Sequence, residues 1–304
     1  MLTDKELALF AESQVPDPAL DPALDQLSRR TLLTRIGAGA AGTLAASLGA
    51  ETMADAEPKP ETMRSDITFE SKHDDAAAQV KAFLASPKTT HKRGGVIVVH
   101  EIFGLSDHIK SVAVRLAEAG YDALAVDFFS NAGPLPDVKG DFKPLMEYVT
   151  KIADSQILQD AAGAAKYLRS LSHSNGKVGI VGFCWGGRIS MLYDAAAPDL
   201  NAAVAYYGRI SGEKTANQTQ YPIDVADKMN APLLGNFGAE DKGIPPSEVE
   251  KLSAALKAAH KTAELYEYEK AGHAFNNDTR ESYRPDAAKL AWKRTLDWYK
   301  KYLG

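Results

Sequence analysis

The stretch KVGIVGFCWGG at residues 177–187 decides the fold of this chain. A β-branched run reaches a G-x-C-x-G pattern around Cys184 and then continues into the helix-like segment GRISMLYDAA. A strand, a sharp turn and a helix in this order are typical of the elbow that holds a nucleophilic side chain. Gly182 and Gly186 remove the side chains that such a turn would bring into collision. The pattern predicts that Cys184 lies on a strained turn at the start of a helix.

The sequence contains one cysteine, so no intramolecular disulfide can form. At a helix N-terminus, backbone N–H groups and the helix dipole favour a thiolate. A thiolate attacks a carbonyl without first losing a proton to a base. A cysteine that merely packs in the core is the alternative interpretation. The flanking glycines favour a nucleophile.

A nucleophile of this kind needs a histidine base and an acid that orients it, in the chain order nucleophile, acid, histidine. Beyond Cys184 the histidines are His260 and His273. His260 lies in the Lys- and Ala-rich segment AALKAAHK, which predicts an exposed helix position, whereas His273 follows a strand-like segment in AGHAF. Asp241 follows the strand-like segment APLLGNF, with Glu240 as its competitor. We predict that Asp241 and His273 complete the set.

Strand-like and helix-like segments alternate after about residue 90, which predicts an α/β fold with a mostly parallel sheet and helices on both faces. Asp107 is the predicted N-cap of one helix, and Asp154 or Ser155 that of another. The candidate side chains all follow strands, so they should meet at one edge of the sheet. The predicted strands lie at 94–104, 122–129, 177–183, 202–208, 231–241 and 264–275, and the main helices at 107–118, 142–152, 246–259 and from 285 onward.

Five motifs follow one another along the chain: HEIFGL (100–105), GFCWGG (182–187), YYG (206–208), GAEDKGIP (238–245) and AGHAFNN (271–277). Together and in this order they resemble the dienelactone hydrolase (carboxymethylenebutenolidase) family of the α/β-hydrolase fold. The resemblance implies an ester or lactone hydrolase that works through a thioester, with Cys184, Asp241 and His273 as its triad and with no cofactor or metal.

The resemblance also implies roles for residues near the triad. Glu101 would accept the proton of the resting thiol until substrate binds. The backbone N–H groups of Ile102 and Trp185 would form the oxyanion hole. The candidate substrate contacts are Phe103, Lys143, Tyr207, Phe275 and Asn277.

One motif departs from the family pattern. Members that are specific for dienelactone hold a substrate carboxylate with two arginines, and one of these positions is Asn277 here. The other falls at 141–143, where Lys143 is the cation present. Asparagine lacks the charged, bidentate guanidinium fork. We therefore expect a substrate without that carboxylate, unless Arg188, Arg209 or Arg280 reaches the cleft.

Other activities are compatible with the same residues. A thioesterase or acyl transferase would use the same triad with a different leaving group or acceptor. A binding module or a thiol redox sensor would use the fold without turnover. Sequence specifies the nucleophile better than it specifies the substrate.

Residues 1–56 resemble an export signal with an N-terminal extension, followed by one domain at 57–304. Arg29 and Arg30 in SRRTLLT (28–34) precede an apolar run at 36–50 and the A-x-A pattern that ends at Ala56. This order is typical of twin-arginine signals. It predicts the twin-arginine machinery as a partner and a periplasmic location, or a cytoplasmic one if the leader is not functional.

Charge and composition argue against several function classes. A net charge of −5, from 35 basic and 40 acidic residues, does not favour nucleic acid as a partner. His100 and Glu101 begin an H-E pair, but Gly104 replaces the second histidine of a zinc-binding H-E-x-x-H motif. The apolar run at 36–50 is too short for a comfortable membrane span. The expected partner is a small molecule.

Overall fold

The computed structural model describes residues 60–74, 76–138 and 141–304. The predicted export signal, with Arg29, Arg30 and the cleavage site after Ala56, lies outside the described residues. The division at residue 56 therefore stays a prediction.

Eight strands form one sheet. They are β1 Thr62–His73, β2 Ala76–Pro87, β3 Arg93–Val99, β4 Asp122–Val126, β5 Ser174–Phe183, β6 Ala202–Tyr206, β7 Leu233–Gly238 and β8 Ala263–Tyr268. Their order across the sheet is β1-β2-β4-β3-β5-β6-β7-β8. From β4 to β8 the neighbouring strands are parallel, whereas β2 pairs antiparallel with both β1 and β4. The predicted α/β fold with a mostly parallel sheet is confirmed.

Helices cover both faces of this sheet. They are α1 Asp107–Glu118, α2 Lys143–Thr150, α3 Asp154–Ser170, α4 Trp185–Ala196, α5 Pro246–Ala258 and α6 Pro285–Tyr302, with a 3₁₀ helix at Pro222–Lys228. Neighbouring strand residues Gly94 and Gly95 point to opposite faces, and they contact Leu303 and Leu168 respectively. Leu303 directly follows α6 and Leu168 belongs to α3, so these two helices lie on opposite sides of the sheet.

The end of α6 is bonded to β5, the strand that leads to Cys184. The Tyr299 hydroxyl donates to the carbonyl of Ile180 over 2.8 Å, and the Asn175 amide donates to the carbonyl of Leu303 over 2.9 Å. Tyr299 and Leu303 are fully buried. The last turn of the chain thus holds the central strand of the sheet in place.

The hairpin of β1 and β2 is absent from the sequence-based prediction, which begins its strands at residue 94. β1 is mostly exposed, with only Phe69 and Ser71 buried among its residues, so its hydrophobic alternation is weak. β1 lies at the edge of the sheet and pairs only with β2, a position at which polar and charged side chains are common.

Two predicted caps are wrong. The N-cap of α1 is Ser106, whose hydroxyl accepts the N–H of Ile109, and Asp107 is the first helical residue. The N-cap of α3 is Ala153, without a side-chain bond. Asp154 is instead used by Arg188, as described below. None of the helices in the described ranges is long and apolar enough to cross a membrane.

Candidate active site

Cys184 lies between β5 and α4, at the turn that the glycine pattern predicts. Its backbone has φ 56° and ψ −115°, a left-handed conformation that is costly for a residue with a side chain. The N–H of Cys184 donates to the carbonyl of Tyr206 over 3.0 Å, and its own carbonyl accepts the N–H of Gly187 over 3.0 Å. These bonds from a neighbouring strand and from α4 hold the strained turn.

The glycines around Cys184 are required by close backbone contacts. A Cβ on Gly182 would overlap the backbone of Gly186. A Cβ on Gly186 would lie 2.5 Å from the carbonyl oxygen of His100, and one on Gly187 would lie 2.5 Å from that of Tyr206. Since real Cβ atoms do not approach this closely, each position excludes larger residues.

Asp241 and His273 follow β7 and β8, and the structure brings them together. His273 Nδ1 and Asp241 Oδ2 are 2.7 Å apart, and both residues are buried. The other oxygen of Asp241 accepts the N–H of Gly243 over 2.9 Å. Glu240 and His260, the alternatives in sequence, are exposed. Asp241 is therefore fixed to orient the His273 ring.

The charge state of His273 depends on its neighbours. Burial by itself lowers the pKa of His273, but the negative charges of Asp241 and Cys184 together raise this pKa well above the ordinary value. A protonated imidazole beside the sulfur is thereby favoured.

Glu101 follows β3 and is buried at the same edge of the sheet. Its Oε2 accepts the side-chain N–H of Asn277 over 2.8 Å, and Asn277 Oδ1 in turn accepts from the backbone and the hydroxyl of Thr279. The predicted transfer between Glu101 and the thiol stays a prediction. Asn277 is itself buried and bonded to Glu101 rather than placed in the cavity wall.

His100 connects Glu101 to the rest of the site, which the sequence did not indicate. Its ring is fully buried, with Nδ1 2.6 Å from the carbonyl oxygen of Glu101 and Nε2 accepting the N–H of Phe128 over 3.2 Å. The ring also stacks on Trp185, with centroids 5.4 Å apart and an interplanar angle of 19°. Burial lowers the pKa of His100 to about 4, so the ring is neutral in ordinary buffers.

A cavity of about 330 Å³ opens above these side chains. Cys184, Asp241, His273, Ile102 and Trp185 all line it. A volume in this range suits a small ligand. Wall residues that the sequence did not indicate include Met146, Val149, Gln218, Tyr221, Lys242 and Glu248.

The predicted substrate contacts fall into two groups. Tyr207 lines the cavity, and its ring centroid is 5.1 Å from that of His273. Phe275 is buried behind Tyr207, with ring centroids 5.5 Å apart, and Lys143 is exposed at the start of α2. Phe103 packs against Phe142 and lies outside the wall.

Of the three arginines that the sequence offers as substrate contacts, two line the cavity and one does not. Arg188 and Arg209 line the cavity, whereas Arg280 stacks on Phe103, 4.2 Å from its ring centroid. Arg188 forms a bidentate pair with Asp154, at 2.7 and 2.6 Å, and donates to the carbonyl of Gln220. Its positive charge is thus already balanced by Asp154.

The sequence profile of the dienelactone hydrolase family matches residues 80–303. The chain belongs to this family. A relative from Methylorubrum extorquens, assigned as a carboxymethylenebutenolidase, is 39% identical over 224 residues, which are 73% of this chain and 77% of the relative. One from Escherichia coli K12 with the same assignment is 43% identical over 210 residues, or 69% and 77% of the two chains.

Solved structures agree with this membership. A crystal structure of a protein from Klebsiella pneumoniae, assigned as a dienelactone hydrolase, has 39% sequence identity and a TM-score of 0.74, and the match covers 80% of this chain and all of that one. The dienelactone hydrolase-like promiscuous phosphotriesterase P91 from metagenomic libraries shares the fold at 20% identity and a TM-score of 0.65, over 79% and 99% of the two chains. The predicted family and α/β-hydrolase fold are confirmed, and the chain is a hydrolase of the dienelactone hydrolase type.

Proposed function

We propose that this dienelactone hydrolase family member cleaves small esters or lactones with Cys184 as its nucleophile. One observation carries the proposal: His273, bonded to Asp241 over 2.7 Å, shares the cavity floor with a cysteine held in a left-handed backbone conformation. Such an arrangement has little value for packing, because it combines a strained turn with buried polar groups. Acyl transfer is the chemistry for which it is suited.

In the proposed acylation step, the Cys184 thiolate attacks the carbonyl carbon, and the carbonyl π electrons move to the oxygen. The proposal assigns the N–H groups of Ile102 and Trp185, two residues of the cavity wall, as the donors to that oxyanion. Trp185 is the first residue of α4, so the helix itself does not use its N–H. The C–O bond then breaks, and the leaving oxygen takes the proton of the His273 imidazolium. A thioester on Cys184 results.

In the proposed deacylation step, neutral His273 removes a proton from water as the water attacks the thioester carbonyl. The C–S bond breaks, the acid is released, and the thiolate and imidazolium are restored. Asp241 keeps Nδ1 protonated, so that Nε2 is available to exchange the proton in both steps. With a lactone the leaving hydroxyl remains tethered, so that ring closure competes with hydrolysis.

The two positions that supply carboxylate-binding arginines in dienelactone-specific family members hold no arginine here, although Arg209 and Lys242 are cationic residues of the cavity wall. Asn277, which replaces a family arginine, is buried and bonded to Glu101, and Lys143 lies outside the cavity wall. Arg188 is balanced by Asp154. Because the family's arginine pair is missing, we expect neutral esters and simple lactones to be hydrolysed more efficiently than dienelactone carboxylates. A preference for the carboxylate substrate would instead assign its binding to Arg209 or Lys242 of the cavity wall.

The test is hydrolysis of 4-nitrophenyl acetate, a simple lactone and a dienelactone by the purified protein and by Cys184→Ala under reducing conditions. We expect kcat/KM of the variant to fall by about 10⁴-fold or more, as for loss of other catalytic nucleophiles. Asn175→Ala, which removes a bond to the end of α6 far from the cavity, serves as the matched control and should retain turnover.

Substantial turnover by Cys184→Ala would contradict the proposal. Absence of turnover by both proteins, combined with rapid oxidation of the thiol by peroxide, would favour a redox-sensing protein instead. Faster cleavage of acyl thioesters than of oxygen esters would indicate a thioesterase.

A further inference from the structure

His100 contacts both residues or peptides that supply the backbone donors of the proposed mechanism. It bonds to the peptide that carries the N–H of Ile102, and its ring stacks on the side chain of Trp185. It is the last residue before Glu101, and the peptide that joins Glu101 to Ile102 contains two relevant atoms. The carbonyl oxygen of this peptide belongs to Glu101, and its N–H belongs to Ile102. His100 Nδ1 lies 2.6 Å from that carbonyl oxygen.

The tautomer of His100 is determined by its two contacts. Nε2 faces the N–H of Phe128 over 3.2 Å and must act as the acceptor. The ring proton therefore lies on Nδ1 and is donated to the carbonyl of Glu101. Because the ring is fully buried and neutral, this assignment does not change in ordinary buffers.

A hydrogen bond to a peptide carbonyl acts on the N–H of the same peptide. It fixes the plane of the peptide and polarises the group, which strengthens the N–H as a donor. The His100 bond therefore aims the N–H of Ile102 and increases its donor strength.

Trp185, the residue that carries the second proposed donor, packs against the face of the His100 ring. The indole of Trp185 stacks on His100 at 5.4 Å, and the edge of Phe129 packs on His100 at 4.5 Å. These contacts restrict the Trp185 side chain at the first position of α4, beside the strained Cys184. One ring thus contacts the residues of both proposed donors.

We propose that His100 is a positioning residue for the oxyanion hole, which orients the N–H of Ile102 by a hydrogen bond and Trp185 by stacking. The inference rests on the proposed function, because it assumes that these two N–H groups meet a developing oxyanion. His100 does not touch the substrate and exchanges no proton in turnover.

The test compares two reactions of the single cysteine. Ester hydrolysis requires the oxyanion hole, whereas alkylation of Cys184 by iodoacetamide forms no oxyanion and reports only the reactivity of the thiol. His100→Phe keeps an aromatic ring against Trp185 but removes the donor to Glu101. We expect kcat for 4-nitrophenyl acetate to fall about tenfold to hundredfold with KM changed less than about threefold, because a donor is misplaced rather than deleted. The alkylation rate should stay within about threefold of wild type.

Two further variants keep the test decisive if His100→Phe does not fold. The amide nitrogen of His100→Asn lies near the position of Nδ1, and that of His100→Gln lies near Nε2. The His100→Asn variant should therefore retain the bond to Glu101 and most of kcat. The His100→Gln variant should lose the bond, and its kcat should fall as in His100→Phe. Equal kcat values for Asn and Gln would overturn the proposal, as would a parallel fall of alkylation and hydrolysis in every variant. Hydrolysis by Cys184→Ala would instead overturn the proposed function itself.

Discussion

At the scale of single residues, the order and placement of the candidate triad follow from sequence. Cys184, Asp241 and His273 each lie just beyond the carboxyl end of a strand, and parallel strands present these ends at one edge. The contacts of His100 and Asn277 are not predictable in this way. They depend on side-chain conformations between distant segments, such as the bond from Asn277 to Glu101.

The charge on Asp241 is expected to stabilise the fold in a pH-dependent manner. The pKa of His273 is raised in the folded protein above its ordinary value of 6.5. The stability that this provides is therefore fully present below about pH 6.5 and is lost as the pH rises through the raised pKa. Asp241→Asn removes the charge that contributes to the raised pKa, so it should destabilise the protein most in mildly acidic solution.

Urea unfolding of wild type and Asp241→Asn at about pH 6 and about pH 9 measures this effect. The difference in unfolding free energy should be larger at the lower pH. Glu240→Gln, which changes an exposed neighbour of Asp241, controls for general charge effects and should show a small difference at both values. A difference that is constant or grows with pH would show that the Asp241 charge does not act through His273.

At the scale of elements, sequence locates the buried parallel strands well and their ends poorly. The predicted strands at 122–129 and 264–275 end at Val126 and Tyr268, because the chain leaves the sheet there to form the loops of the site. The hairpin of β1 and β2 escapes prediction because β1 is largely polar. Asp154 is not the N-cap that the sequence predicts; it binds Arg188 of α4 instead.

The pair of Asp154 and Arg188 joins the start of α3 to the first turns of α4. Both side chains are buried, at 10% and 3% exposure, and the contact is bidentate. Asp154→Asn leaves the Arg188 charge unbalanced in the interior, and breaking buried pairs in this way costs about 3–5 kcal/mol. Urea unfolding should show a loss of this order.

Asp297→Asn is the matched control for that variant. Its partner Lys293 is four residues away on α6, and both side chains are more than half exposed. Such pairs contribute about 0.3–0.5 kcal/mol. Similar losses for the two variants would show that Asp154 is not needed to balance the charge of Arg188.

At the scale of the whole molecule, sequence predicts the fold class but not the strand order. Alternating strands and helices require a parallel sheet, whereas the order β1-β2-β4-β3-β5-β6-β7-β8 depends on long-range packing. The family profile covers residues 80–303, so a proposal for residues 1–56 rests on the pattern of that segment alone.

We propose that residues 1–56 direct export by the twin-arginine route. Changing both Arg29 and Arg30 to lysine in the full-length chain should retain most of the protein in the cytoplasm, because the machinery recognises the arginine pair. Cell fractionation and immunoblotting measure this, and changing Lys5 and Arg35 to alanine controls for charge alone. Periplasmic accumulation of the double lysine variant would exclude this route.

The bonds between the end of α6 and β5 have a consequence for protein synthesis. The Tyr299 hydroxyl and the Ile180 carbonyl are 119 residues apart in the chain. At roughly 5–20 residues per second, a ribosome adds that length in about 6 to 24 s. During this interval β5, which leads to Cys184, lacks the bonds from the end of α6. For most of the interval His273 has not yet been synthesised. The thiol of Cys184 therefore passes this time before the cavity that it lines is complete. Chaperones and oxidants can therefore reach the sulfur of Cys184 before the last helix has packed on the sheet.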